Sequence, residues 1–103
     1  MSDARIEQTV PGELRLVGVL DHGTGPQLRE TGRQLIRASN GANRLVLDCS
    51  AVEKSSSVGL ALLLAFMRDA EAAGKTLTLR GLPEDMRQIS EVSGLTELLP
   101  TEA

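Results

Sequence analysis

The chain has 103 residues, 41% hydrophobic and 24% charged, with a formal net charge of −3. That balance describes a globular domain, and the length suits one domain over residues 1–103 whose folding buries roughly 60–70% of the unfolded chain's surface. A net negative chain with one Phe and neither Trp nor Tyr lacks the basic surface and stacking rings that nucleic acid requires.

Cys49 is the single cysteine, so no internal disulfide is expected, and a lone thiol agrees with a reducing compartment. Met1 to Arg5 shows neither a basic start nor an apolar signal core. The longest apolar stretch, Val58 to Met67, covers ten residues, well short of the roughly 20 that span a bilayer as a helix. These features predict a cytoplasmic protein with no direct membrane insertion.

In chain order, residues 5–10 and 13–20 predict two strands joined at Pro11-Gly12, where proline presets one turn dihedral and glycine accepts a positive one. Thr24-Gly25-Pro26 reads as a cap with proline in the first turn, opening a helix to about Ser39 with Leu28, Thr31, Leu35 and Ile36 on one face and Asn40-Gly41 closing it. Arg44 to Asp48 predicts a short strand of the kind buried in a parallel sheet. A helix over 57–73 follows, with apolar residues at 60, 63, 64 and 67 and a stop at Gly74. Thr76 to Leu79 predicts another strand, parallel to the previous one through a right-handed crossover. Pro83 with Glu84 and Asp85 opens a third helix whose Leu82, Met86, Ile89 and Val92 face inward. Gly94 ends that helix, and Leu95, Leu98 and Leu99 pack a last short turn. The pattern is that of an α/β unit.

Between the third strand and the second helix stand Ser55, Ser56 and Ser57. A hydroxyl at a helix start satisfies the unpaired N–H groups there, or holds a phosphate against the positive end of the macrodipole. Spacing alone leaves both readings open, as it does for Asp48, a turn-former or the acid of a switch. Hydrolase chemistry at Ser57 is poorly provided for: the only histidine is His22, and Ser57-Val58-Gly59 is half a nucleophile elbow without its leading glycine. Cys49 and His22 belong to no metal-ligand spacing, and the glycines form no phosphate loop, so neither metal nor cofactor is expected. Leu62 and Phe66 fall off the apolar stripe of the second helix. Either they form an exposed binding face beside the serines, or the first or third helix covers them.

Asp48-Cys49-Ser50-Ala51-Val52 through Ser56-Ser57-Val58-Gly59-Leu60 resembles the signature of STAS domains, the family of anti-sigma factor antagonists and transporter regulators. Gly59 to Leu64, Leu77-Thr78-Leu79-Arg80-Gly81 and Leu98-Leu99-Pro100 look like its MlaB branch, the cytoplasmic STAS subunits of Mla phospholipid-transport complexes. The resemblance implies a mixed sheet of about four to five strands with helices mainly on one face. It also implies a non-enzymatic subunit that binds and stabilises or activates an MlaF-like ABC ATPase. Through that ATPase it would meet a permease and a lipid-binding subunit, lie peripheral to the inner membrane and support outer-membrane lipid asymmetry. Ser55, Ser56, Ser57, Val58, Leu62 and Phe66 would form the contact. In the antagonist branch the hydroxyl matching Ser57 is phosphorylated by a partner kinase. Ser56 stands where the family usually has Asp, and Val58 where Gly or Ser is common, and both departures favour a static apolar interface.

Overall fold

The computed structural model describes residues 4–39, 43–94, 99 and 101. Two antiparallel strands, β1 (Arg5–Val10) and β2 (Glu13–Leu20), open the fold. Helix α1 (Gly25–Ala38) leads to β3 (Arg44–Ser55), α2 (Ser57–Ala72) to β4 (Thr76–Arg80), and α3 (Glu84–Val92) follows. The sheet order is β1-β2-β3-β4, with β3 parallel to both β2 and β4. Beyond β4, among the described residues, an isolated parallel bridge joins Leu79 to Thr101. Asn40-Gly41, Leu95, Leu98 and Pro100 lie outside the described residues.

Alternation along the strands sends Ile6, Leu14, Leu16, Leu20, Leu45, Leu47, Cys49, Leu77 and Leu79 to one face, where all are buried in the core with residues of the three helices. The opposite face carries a row across the register Glu7, Arg15, Asp48, Arg80, alternating in sign over all four strands. Opposite charges on adjacent strands favour this register. Asp48 sits in that row and in mid-strand rather than at a strand end, because β3 runs seven residues past it, to Ser55. A register shift after the Arg15–Asp48 pair carries the strand on. Burial works to raise the Asp48 carboxyl, but hydrogen bonds from Ser50 and the charges of Arg15 and Arg80 outweigh it and hold the group below its ordinary range.

α2 is the central helix: it packs on α1 on one side and α3 on the other, over β3 and β4. This corrects the expected exposed face. Leu62 is 4% and Phe66 0% exposed, because α1 covers both residues. The Phe66 ring lies against Gly32 of α1, where an added Cβ would sit 2.7 Å from Cζ and closer still to Cε1. On α3, Met86 is buried, Ile89 is half-buried, as is Leu82 just ahead of the helix, and Val92, expected inward, is 90% exposed. α3 is nine residues long and buries positions 86 and 90, so its last residue lies past the core.

Candidate functional site

Parallel β2 and β3 end side by side, Leu20 opposite Ser55, and the next helix starts directly beyond each. The N-termini of α1 and α2 therefore open at the same end of the sheet. Ahead of α1, Asp21 Oδ1 accepts from the N–H groups of Gly23 (2.9 Å) and Thr24 (3.0 Å). Thr24 is the N-cap residue, yet its hydroxyl donates to the Val19 carbonyl at 2.9 Å and makes no cap bond. The cap expected of that threonine is thus replaced by a loop held together by Asp21.

The three serines divide the work of the turn. Ser56 is the N-cap of α2: its Oγ accepts from Val58 N–H at 3.2 Å and donates to the Leu20 carbonyl at 3.3 Å, while its own N–H donates to the same carbonyl. Ser55 Oγ donates to the Ser56 carbonyl at 2.9 Å, and Ser55 N–H donates to Asp85 Oδ2 at 2.9 Å. Gly59 lies opposite it, where an added Cβ would overlap Ser55 Oγ and crowd Leu20, so a larger residue there would turn the Ser55 hydroxyl away. Ser57 is the first helical residue and is exposed, and its hydroxyl makes no hydrogen bond among the described residues. The cap and the free hydroxyl are therefore separate residues.

Beside Ser57, Val58 packs over Gly25 at the start of α1. From there a shallow apolar groove runs between α1 and α2, walled by Pro26, Val58, Ala61 and Ala65 and floored by Leu62, with His22 and Arg29 on its rim. The bidentate pairing of Arg29 with Asp69 ties the two helices together further along. Among the sequence-predicted contact residues, the structure thus gathers Ser55, Ser56, Ser57 and Val58 at one corner. It leaves Leu62 only as floor and takes Phe66 into the core. Pro26 and Asp85 join the corner from positions more than twenty-five residues away, and no local sequence signal points to either.

Ser57 is hydrogen-bonded to no histidine or carboxylate among the described residues, the partners by which a serine nucleophile is activated. The Cys49 thiol is buried, which together with the charge of Asp48 pushes its pKa up to about 12. Among the described residues no three of His, Cys, Asp and Glu stand close enough to hold a metal ion.

A family model described as Mlab, STAS domain, matches residues 5–100. Among solved structures, a chain of the Acinetobacter MlaFEDB complex in an ATP-bound conformation superposes with a TM-score of 0.78 at 24% identity, covering 93% of this chain and 99% of that one. An anti-sigma factor antagonist from Mycobacterium paratuberculosis gives 0.75 at 24% identity over 98% of this chain and 85% of that one. Unphosphorylated SpoIIAA, also an anti-sigma factor antagonist, gives 0.71 at 22% identity over 97% and 88%. These structures share the fold at low identity, whereas the family match runs through sequence from β1 past α3, and on it the chain belongs to the STAS domain family.

Proposed function

We propose that this chain, as one STAS domain, is a non-catalytic cytoplasmic subunit of an Mla-type phospholipid ABC transporter. It docks on the ATPase subunit and stabilises or activates it. Through the ATPase it is held at the inner membrane beside the permease and the lipid-binding subunit, in support of outer-membrane lipid asymmetry. The observation that carries this reading is the make-up of the corner: an exposed Ser57 continuous with an apolar groove of Pro26, Val58, Ala61 and Ala65. Small and apolar groups around one free hydroxyl suit a packed protein contact. The branched Val58, fixed over Gly25, leaves little freedom for a kinase to draw the turn into its own site. The match to the MlaB-labelled family model agrees with this reading.

The test is binding of the purified chain to the Mla-type ATPase of the same cells, with Ala61→Glu as the probe. Ala61 is exposed on α2, so the change keeps the fold within about 0.5 kcal/mol while placing a charge in the groove. Binding by the wild type and loss in the variant support the reading. Equal binding by both removes the groove from the interface, and no binding by the wild type removes the transporter assignment.

One observation favours a second reading, a phosphorylation-switched anti-sigma factor antagonist: the Ser57 hydroxyl is exposed and unengaged at the first position of α2. A phosphate there would add about −1.5 to −2 charge at the positive end of the helix. Intact mass of the chain taken from growing and starved cells separates the two, since only the switch predicts a phosphorylated population.

A further inference from the structure

β4 stops at Arg80, opposite Asp48, while β3 continues to Ser55. Over that extension β3 pairs with β2 on one side, but β4 no longer reaches its other side. Successive N–H groups of a strand point to alternate sides. Ser56 N–H is directed at Leu20 of β2, so Ser55 N–H points to the side that β4 has vacated. There it meets Asp85 Oδ2 at 2.9 Å. Asp85 is the second residue of α3, and its other oxygen, Oδ1, accepts from Met86 N–H at 2.9 Å. A side chain of α3 thus takes the place of a missing strand partner, and its own helix fixes the orientation in which it does so.

The consequence reaches the free hydroxyl. Ser55 Oγ is bonded to the Ser56 carbonyl and lies against the first turn of α2 at Gly59, so a shift of the Ser55 backbone moves the cap and everything it holds. We propose that Asp85 is a positioning residue of the serine turn. Its carboxylate fixes Ser55 and, through it, the angle at which Ser57 and Val58 are presented to a protein partner, making α3 part of the docking site without requiring that α3 touch the partner. The consequence for binding rests on the docking role proposed above, whereas the consequence for the turn does not.

The test uses the full chain in three variants: Asp85→Ala, Asp85→Asn and, as a control, Lys75→Ala. Lys75 Nζ donates to the Ile36 and Ser39 carbonyls at the far end of α1, so its loss destabilises the fold away from the serine turn. Amide hydrogen exchange is followed at Ser55 and Val58 against Leu16 in β2, and ATPase affinity is measured in parallel. Asp85→Ala is expected to speed exchange at Ser55 and Val58 by about tenfold or more relative to Leu16, and to weaken ATPase binding about tenfold. Asp85→Asn keeps one acceptor oxygen and should recover part of both losses. Lys75→Ala should lower thermal stability and leave relative exchange and binding unchanged. Unchanged relative exchange in Asp85→Ala overturns the proposal, as do equal losses in the Ala and Asn variants or equal binding losses in Asp85→Ala and Lys75→Ala. If the wild type binds no ATPase, the docking assignment fails by itself, and the exchange data still decide the role of Asp85.

Discussion

Gly32→Ala sets two effects of known size against each other. Gly32 lies within α1, where alanine is favoured over glycine by about 1 kcal/mol in the helix interior. Its added Cβ, however, would stand 2.7 Å from Phe66 Cζ, inside contact distance, and the ring it meets is 0% exposed. A flexible side chain at the surface would swing aside, but a phenyl ring enclosed on all sides must push α1 away from α2 or leave its rotamer, at about 1–3 kcal/mol. Packing therefore wins, with a net loss of about 1 kcal/mol and a fall in Tm of about 4–8 °C for a domain of this size. Urea titration of the wild type, Gly32→Ala, Phe66→Leu and the double variant measures it. In the Phe66→Leu background the same alanine should cease to destabilise, a coupling of about 1 kcal/mol or more. If Gly32→Ala alone stabilises the chain by the full propensity gain, Phe66 is not held beneath α1, and its assignment to the core is wrong.

Further outcomes follow from the same geometry. Ser56→Ala should cost about 1 kcal/mol through loss of the α2 cap, and Ser57→Ala less than about 0.5 kcal/mol; the reverse order in urea titration would move the cap to Ser57. The Leu62→Asp, Phe66→Asp double variant should unfold the domain, since it buries two carboxylates without partners, and a native circular dichroism spectrum from it would contradict the packing of α2. Cys49 should resist alkylation at pH 8 until denaturant is added. With its folded pKa pushed up to about 12 from 9.0, its contribution to stability is complete below pH 9 and lost between pH 9 and 12, where the unfolded chain releases the proton first. Cys49→Ala should flatten that alkaline decline, and an unchanged pH profile would refute the assignment.

The order of strands and helices was legible because the turn and helix-start signals between them agreed with the final packing. Pro11-Gly12 turns β1 into β2, Pro26 opens α1, and the run at 45–47 is a strand parallel to both neighbours, although it buries only the Leu45 and Leu47 face and leaves Val46 half-buried on the other. The sequence predicts the end of β3 at Asp48 because the unbroken apolar run stops there. The strand in fact continues to Ser55: Cys49 and Val52 are still buried but form no unbroken run, and the last residues, Glu53 to Ser55, are held by backbone pairing with β2. No single stripe marks the buried side of α2, because the helix is apolar almost all round from Val58 to Met67. Its position between α1 and α3 decides burial, and that position is not a property of the helix alone. In the candidate site, a run of three serines announced a helix start without saying which one caps, and the geometry assigns the cap to Ser56. The contacts of Asp85 with Ser55 and of Gly25 with Val58 join residues about thirty positions apart, and only the fold brings them together.

The docking role is tested most directly by tagging this chain in its own cells, purifying it gently and quantifying its partners by mass spectrometry beside Ala61→Glu. The account predicts stoichiometric recovery of an ABC ATPase with its permease by the wild type and their loss from the variant. Recovery of a kinase-type anti-sigma factor in place of the ATPase, or equal recovery of the ATPase by both forms, would contradict it.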